Sequence, residues 1–388
     1  MHGELLARCD DLAVFVSCSW ARSVGQMQTR HGEPSIASLP PFPEGWYFVA
    51  NRLEVQKAGL IQKTWMGENI VVWSDDEGRI CVAEALCPHL GSDLGPAAGG
   101  RVCDGRLVCP FHGYEFDATG QCVDTPYAAP PRSARLRVFE TRDIAGLIFA
   151  WWGVGGREPQ WGLPEGEPEQ AGWSDIIVNT LTFPGHPQET SENVVDIAHL
   201  RYVHGYGSVE RTHPVSVEGA FFSSRWDFQS IRRIAKFGRL TFDLSADASI
   251  YGMGYSFVSI SEHSIGMELR LWVLATPVDG TLIDMSLATQ VREIRNPKRW
   301  VAGLGFLPTR LRAPFMNRFI ARQQVHDVEQ DVEIWSRKRY LSPPRLNRSD
   351  GEVTMFRAYC AQFYPDASSD NGASEMSPAI TPTRTAIN

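Results

Sequence analysis

Two cysteine–histidine pairs constrain this chain more than any other feature. Cys87-Pro-His89 is followed by Cys109-Pro-Phe-His112, so each pair offers one thiolate and one imidazole. That donor set suits a 2Fe-2S cluster in which the thiolates bind one iron and the imidazoles bind the other. A structural zinc site is the alternative, but zinc ribbons and fingers normally use a Cys-x2-4-Cys pair, which neither motif contains. The spacing therefore predicts an iron-sulfur cluster.

A second group of metal-binding residue types follows in Asn193-Val-Val-Asp196-Ile-Ala-His199 and in His204. On a helix, Asp196 and His199 share one face, whereas His199 and His204 lie about 140° apart. The two histidines can share a metal if the helix ends between them, and Gly205 fits such an end. Two histidines and a carboxylate suit a mononuclear iron(II) site with open positions for O2. The alternative is two unrelated histidines on a surface helix.

The third ligand of such a site is expected to be a carboxylate far downstream. A late amphipathic helix, predicted from about Pro314 to Tyr340, offers four acidic candidates: Asp327, Glu329, Asp331 and Glu333. Composition does not choose among them, because an acidic helix face is usually a solvated one.

The 388 residues are enough for two domains that each bury a core. Residues 1–42 are predicted to be a poorly specified leader, and residues 43–156 a small all-β module of short strands and turns. A stretch rich in Gly, Pro and Glu at 157–172 is a natural linker. It opens a second domain, predicted over 157–365, and residues 366–388 are predicted to be disordered because they lack periodicity.

The second domain alternates between strand and helix patterns. A strand is predicted at 176–183, a helix from about 189 to 202, and long alternating strands over 214–294, with a hairpin turn at Asp279-Gly280. In one strand the apolar residues Met267, Leu269, Leu271 and Val273 share a face, and Glu268, Arg270 and Trp272 share the other. These patterns predict an α+β fold, in which an all-β domain precedes an antiparallel sheet with helices.

Composition excludes several classes of function. The net charge of -8 leaves no basic footprint for nucleic acid, and no apolar run approaches the length of a membrane span. The mildly apolar residues 12–20 lack a basic n-region, so a secretory signal is not expected and a cytoplasmic location is the default. Of the eight cysteines, Cys87 and Cys109 are expected to be metal ligands and the other six free thiols.

The first motif closely resembles the Rieske domain of the non-haem iron oxygenases. Cys87-Pro-His-Leu-Gly91 and Cys109-Pro-Phe-His-Gly113 carry the resemblance. Respiratory Rieske proteins have an extra cysteine in each loop, where this chain has Ser92 and Phe111, so the respiratory type is disfavoured. Tyr114 stands where many of the oxygenases have Trp, and little effect is expected.

The second motif, Asn-x2-Asp-x2-His-x4-His, looks like the catalytic motif of the same family. The resemblance implies that His199 and His204 bind iron, and that Asp196 bridges to a Rieske histidine of a neighbouring subunit in a homotrimer. It also implies a supporting role for Asn193 and a helix-grip-like catalytic domain. The run from Gln330 to Trp335 resembles the family's late ligand segment, which favours Asp331 as the third ligand and leaves Asp327 as the fallback.

The C-terminal half resembles 3-ketosteroid 9α-hydroxylase oxygenase components and cholesterol 7-desaturases, through residues 185–189, 350–353 and 356–364. The resemblance implies a terminal oxygenase that hydroxylates or desaturates an apolar, steroid-like substrate. Electrons from NAD(P)H would come from a ferredoxin, a ferredoxin reductase or both, because the chain has no nucleotide-binding glycine loop or flavin signature. Ring dihydroxylation, O-demethylation and oxidative cyclisation stay open as alternatives, whereas a pure electron carrier would not need the second domain.

Overall fold

The computed structural model describes residues 35–36, 38–164, 171–233, 239–263, 266–295 and 304–364. Most of the predicted leader and the whole predicted tail, 366–388, lie outside the described residues. Cys9 and Cys18 do so as well, whereas the thiols of Cys81, Cys103, Cys122 and Cys360 are free, as expected.

The first module consists of short antiparallel strands and one helix, so the predicted all-β domain is confirmed apart from that helix. Its elements are β1 (Ser35–Ile36), β2 (Gly45–Asn51), α1 (Arg52–Ala58), β3 (Leu60–Trp65), β4 (Glu68–Ser74), β5 (Ile80–Glu84), β6 (Arg101–Cys103), β7 (Arg106–Val108), β8 (Glu115–Phe116), β9 (Cys122–Asp124), β10 (Thr141–Ile144) and β11 (Leu147–Trp152). Strands β2 to β11 form three small sheets, with strand orders β10-β11-β2, β3-β4-β5 and β6-β7-β8-β9.

Strand β4 is buried on both faces, which explains its continuous apolar run. Successive side chains point to opposite faces of a strand. Val71 and Trp73 therefore pack in the core that contains Cys87 and Cys109, while Ile70 and Val72 pack against Trp65 and Tyr47 on the other side. The cysteine-bearing loops thus rest on a rigid apolar support.

The second module is a seven-stranded antiparallel sheet with helices, which confirms the predicted architecture. Its elements are β12 (Ile177–Pro184), α2 (Pro187–Ser191), α3 (Ile197–Tyr202), β13 (Val209–Glu218), β14 (Phe221–Arg233), β15 (Arg239–Tyr251), β16 (Tyr255–Glu262), β17 (Met267–Pro277), β18 (Leu282–Val291), α4 (Thr309–Trp335), β19 (Leu341–Ser342) and α5 (Gly351–Ala361). The strand order is β12-β18-β17-β16-β15-β14-β13, and α4 packs across β12 and β18. Outside the sheet, β19 pairs with β1.

Helix α4 differs from its prediction at both ends. It begins at Thr309 and not at Pro314, and it ends at Trp335, well before Tyr340. A proline inside a helix removes one backbone hydrogen bond, but tertiary contacts hold the helix on both sides of Pro314. Asn317 is fully buried there, and its side-chain amide donates to the carbonyls of Asp175 and Thr289.

The two modules share an apolar interface that the strand pattern did not indicate. Trp272 was placed with Glu268 and Arg270 on one face of β17, yet its side chain is completely buried. It packs in a cluster with Trp46 and Phe149 of the first module. Trp161 packs against the same cluster, so the first part of the predicted linker is a structural element of this interface.

His186 ties the chain before β2 to the second module and gives a pH-dependent contribution to stability. Its Nδ1 accepts from the Gln188 N–H at 3.1 Å, so its Nε2–H donates to the Pro40 carbonyl at 3.0 Å. Burial lowers the pKa of His186 from 6.5 to about 4. The folded state therefore binds this proton less readily than the unfolded state.

We expect the stability contributed by neutral His186 to be complete above pH 6.5 and to be lost as the pH falls toward 4. The expected loss is on the order of 2 kcal/mol. Denaturant unfolding between pH 4 and 7.5 checks this, and His186→Asn should show a shallower pH dependence. His213→Asn, at an exposed histidine, is the control; equal slopes for wild type and His186→Asn would refute the assignment.

Candidate metal centres and substrate cavity

The two cysteine–histidine loops have the same backbone hydrogen bonds. One loop follows β5 and the other joins β7 to β8. In the first, the Cys87 N–H donates to the Ser92 carbonyl and the Cys87 carbonyl accepts from Gly91. In the second, the Cys109 N–H donates to the Tyr114 carbonyl, and the Cys109 carbonyl accepts from the Gly113 N–H. The loops are therefore two copies of one turn, placed face to face.

Glycine is required in both turns. Gly91 has a φ of 73° and Gly113 a φ of 67°, a region that residues with a Cβ rarely occupy. At Gly113 a Cβ would also lie 2.7 Å from the Cγ of Pro126. At Gly113, both the backbone conformation and the lack of room for a Cβ therefore require glycine.

The four predicted cluster ligands converge at the tips of these loops. Cys87 and Cys109 are buried, and the rings of His89 and His112 lie 4.8 Å apart between centroids. Burial raises the pKa of the Cys87 thiol, and the neighbouring Cys109 sulfur raises it further. Buried thiols of this kind become thiolates when a metal binds them.

The Nδ1 of His89 is buried and has no hydrogen-bond partner in the described part of the chain. A buried nitrogen without a partner is costly, and an iron ligand bond would satisfy it. Tyr114 stacks on the His89 ring at 4.5 Å with an interplanar angle of 10°. Residue 114 thus supports this imidazole with its aromatic face. The donors and their burial fit a 2Fe-2S cluster.

The predicted mononuclear ligands also meet. Ligand atoms of His199, His204 and Asp331 all lie within 4.8 Å of one another. The Nε2 of His204 is 3.3 Å from a carboxylate oxygen of Asp331. Two imidazoles and one carboxylate on one side of a site are the donor set of non-haem iron(II).

A break in the helix brings the histidines together. The continuous helix predicted from 189 to 202 is wrong: α2 ends at Ser191, and a 3-10 turn follows it. Helix α3 starts after Asp196, and the Asp196 carboxylate accepts a hydrogen bond from the His199 N–H at 3.3 Å. Helix α3 ends at Tyr202, ahead of His204 and of Gly205, which has a φ of 65°. The rings of His199 and His204 are consequently 5.3 Å apart.

Hydrogen bonds set the tautomer of both imidazoles. The Nδ1 of His204 faces the side-chain oxygen of Gln330 at 3.2 Å, so Nδ1–H donates and Nε2 is left as the lone-pair nitrogen. The Nδ1 of His199 donates in the same way to the main-chain carbonyl of Asp196. Metal-ligating histidines commonly donate their second ring N–H to a protein oxygen. Both rings therefore present Nε2, which fits a metal.

The pKa values of the two histidines shift in opposite directions. Burial lowers the pKa of His199. For His204, burial also opposes the charged form, but the contact with Asp331 outweighs it and the pKa is raised.

Asp327, the fallback ligand, is engaged elsewhere. One carboxylate oxygen accepts from the Tyr206 hydroxyl at 3.0 Å, and the other accepts from the Gln323 amide at 3.1 Å. The remaining candidates, Glu329 and Glu333, have exposed side chains. Of the four acidic residues on α4, the structure brings Asp331 to the histidines.

An apolar cavity begins at these three residues and runs between α4 and the sheet. It encloses about 990 Å³ including its open mouth. Most of its wall is aliphatic or aromatic, including Trp226, Val258, Leu271, Met285 and Trp335. Asn193 belongs to the polar part of its lining. Such a cavity, apolar with a few polar groups, is typical of a small-molecule site.

A second, smaller apolar cavity adjoins the first. The two share the lining residues Tyr206, Phe228, Ile260 and Gln324. Tyr206 stacks on Phe228 at 5.1 Å and forms the partition between the cavities.

Several supporting residues carried no signal in the sequence. Gln330, which orients His204, is one of many glutamines, although its position next to a candidate ligand could have drawn attention. Arg357 on α5 holds Glu192, next to Asn193, through two hydrogen bonds of 2.7 and 3.2 Å. Gln330 and Arg357 are far in sequence from the residues they contact, so these contacts can be identified only from the folded structure.

Comparisons with known proteins agree with the two-module organisation. A family model described as "Rieske [2Fe-2S] domain" matches residues 45–140, and one described as "3-Ketosteroid 9alpha-hydroxylase C-terminal domain" matches residues 150–364. The Rieske match supports a 2Fe-2S cluster in the first module.

Two curated relatives and one solved structure illustrate the similarity. "Cholesterol 7-desaturase nvd" of Xenopus laevis is 28% identical over 359 residues, covering 85% of this chain and 74% of the relative. The "3-ketosteroid-9-alpha-monooxygenase, oxygenase component" of Rhodococcus rhodochrous is 26% identical over 376 residues, covering 90% and 89%. Dicamba monooxygenase bound to 3,6-dichlorosalicylic acid shares the fold, with a TM-score of 0.61, 18% identity and coverage of 82% and 96%.

The matched C-terminal family spans more than half of the chain, and the Rieske family accounts for most of the remaining described residues. The chain therefore belongs to the Rieske-type oxygenases, in the group whose catalytic domain is of the 3-ketosteroid 9α-hydroxylase type.

Proposed function

We propose that this chain is the terminal oxygenase of a multicomponent system and that it hydroxylates or desaturates a steroid-like substrate with O2. The observation that carries this proposal is the meeting of His199, His204 and Asp331 at one end of an apolar cavity. A substrate in the cavity would lie directly beside the open side of that site.

Cys87, His89, Cys109 and His112 would hold the 2Fe-2S cluster, and His199, His204 and Asp331 the iron(II). When bound, these groups supply one-electron transfer and O2 activation at a C–H bond. The protein residues position the reaction. Gln330 and the Asp196 carbonyl hold the two imidazoles in the tautomer that exposes Nε2, and the apolar walls exclude water.

Asp196 is proposed as the bridge between centres. It is half-buried at the start of α3, and one carboxylate oxygen contacts the His199 N–H. From that position it would accept a hydrogen bond from a Rieske histidine of a neighbouring subunit in a homotrimer. Asn193, in the cavity wall beside His199, is proposed to support the iron site. Electrons would come from NAD(P)H through a ferredoxin, a ferredoxin reductase or both.

The apolar lining of the cavity favours an apolar substrate, and the relatives named above include both a desaturase and a monooxygenase. Both outcomes begin with removal of one hydrogen. They differ in whether an oxygen atom is then added or a second hydrogen is lost.

Product analysis tests the proposal. The reconstituted enzyme, supplied with a ferredoxin, its reductase and NADH, is incubated separately with a 3-ketosteroid, a 3β-hydroxysterol and an aromatic acid. We expect a steroid product that has gained one oxygen or lost two hydrogens by mass spectrometry. A cis-diol or a demethylated product from the aromatic acid, with both steroids unchanged, would reject the proposed substrate class.

A further inference from the structure

The first half of α4 carries a row of exposed apolar side chains. Leu311, Phe315 and Phe319 are 47%, 47% and 51% exposed. At about 100° per residue, they fall within an arc of about 80° on the helix. The buried residues Ala313 and Ile320 lie on the opposite side. The helix is therefore apolar on the face that packs against the sheet and again on the face that points away from it.

The exposed face is also basic. Arg322 falls within the arc of the apolar row and Arg318 about 20° outside its edge, and both are exposed. No described carboxylate lies within ion-pair distance of either. In the sequence, residues 294–326 contain seven Arg or Lys and no Asp or Glu, although the whole chain has a net charge of -8. Among the described residues, Arg318 and Arg322 place positive charge beside this row.

Arg312 shows that the preceding turn is fixed to this helix. Its guanidinium donates to the carbonyls of Leu307, Ile294, Arg295 and Gly305. The turn it holds carries Phe306, which is 85% exposed. A single exposed apolar residue is ordinary, but an aligned row with a basic flank is the pattern of a helix that lies in a membrane interface.

The row lies next to the second cavity. Met316 and Phe319 line that cavity, which adjoins the one that begins at His199, His204 and Asp331. An apolar molecule taken up at this face would be separated from the metal-site cavity only by the partition that contains Tyr206 and Phe228. No helix among the described residues is long and apolar enough to span a bilayer, so the contact would be with the membrane surface.

We infer that the face formed by Leu311, Phe315, Phe319, Arg318 and Arg322 docks on an anionic lipid bilayer. The apolar side chains enter the acyl boundary and the arginines meet the lipid phosphates. As far as substrate entry is concerned, the inference rests on the proposed function, because steroids partition into bilayers. The docking itself does not depend on it.

Vesicle flotation of the full-length protein tests the docking. The probes are vesicles of phosphatidylcholine alone and of phosphatidylcholine mixed with phosphatidylglycerol. We expect binding to the anionic vesicles that weakens with added salt, and a loss of at least about tenfold in Leu311→Ser/Phe315→Ser and in Arg318→Gln/Arg322→Gln. Leu53→Ser, at a residue 65% exposed on α1, is the matched control and should bind as wild type does.

Three results would overturn the inference. They are no binding by wild type, equal binding by wild type and the two double variants, or a changed oligomeric mass in Leu311→Ser/Phe315→Ser, which would identify the face as an interface between copies. Circular dichroism and thermal melting check that the variants are folded. Because flotation needs no turnover, a failure of docking is distinct from a failure of the proposed reaction.

Discussion

Asp331→Ala is expected to lose its mononuclear iron while keeping the visible spectrum of the 2Fe-2S cluster. Asp331 is the carboxylate that meets His199 and His204, and without it two imidazoles remain to bind the metal. Mutation of a residue that hydrogen-bonds to a metal ligand typically lowers metal affinity or activity by about 10–100-fold. Loss of a direct ligand should therefore lower turnover by at least about 100-fold. Iron analysis and the visible spectrum of the purified variant measure both effects.

Asp327→Asn is the matched control, because Asp327 lies one turn earlier on the same helix and is equally buried. Its carboxylate is held by Tyr206 and Gln323. This variant should keep its mononuclear iron. The assignment is wrong if Asp331→Ala retains that iron, and the roles are reversed if Asp327→Asn loses it.

Cys109→Ser is expected to show the opposite pattern. The cluster loses one of its two thiolates, so the visible absorption should disappear while iron at the histidine–carboxylate site is retained. Turnover with the electron-transfer partners should fall by at least about 100-fold, because a path for electrons to the iron is removed. Iron and acid-labile sulfide, measured with the spectrum, give the result.

Cys122→Ser controls for the loss of a buried thiol. Cys122 is buried in the same core as Cys109, and its sulfur contacts the Asp124 carbonyl. It should keep the cluster and most of the activity. Equal loss of the cluster in the two serine variants would mean that core packing, and not ligation, explains the first result.

Motifs with short, chemically specific spacing were informative at the sequence level. The Cys-x-His and Cys-x2-His pairs indicated one cluster-binding unit because two matching turns place four donors together. The seven-stranded sheet followed from long alternating segments, such as the one that contains Met267, Leu269 and Leu271. Resemblance to a family, and not composition, favoured Asp331 over the other acidic residues of α4.

Features that depend on packing between distant segments were missed. Trp272 shares a strand face with Glu268 and Arg270 in the pattern, but the first module covers the part of the sheet where Trp272 lies. The helix predicted from 189 to 202 is interrupted between Ser191 and Ile197, and the Asp196 carboxylate caps the helix α3 that follows. The contact of Gln330 with His204 joins residues 126 positions apart, which no local pattern reports.

The central claim is that electrons held at the cluster reach an iron site beside a steroid. Single-turnover reoxidation tests it most directly: the cluster is reduced, mixed with O2 and followed at its visible band, with and without steroid, in wild type and in Asp331→Ala. The predicted result is that steroid speeds reoxidation in wild type and has no effect in the variant. Steroid-independent reoxidation at the same rate in both proteins would contradict the account.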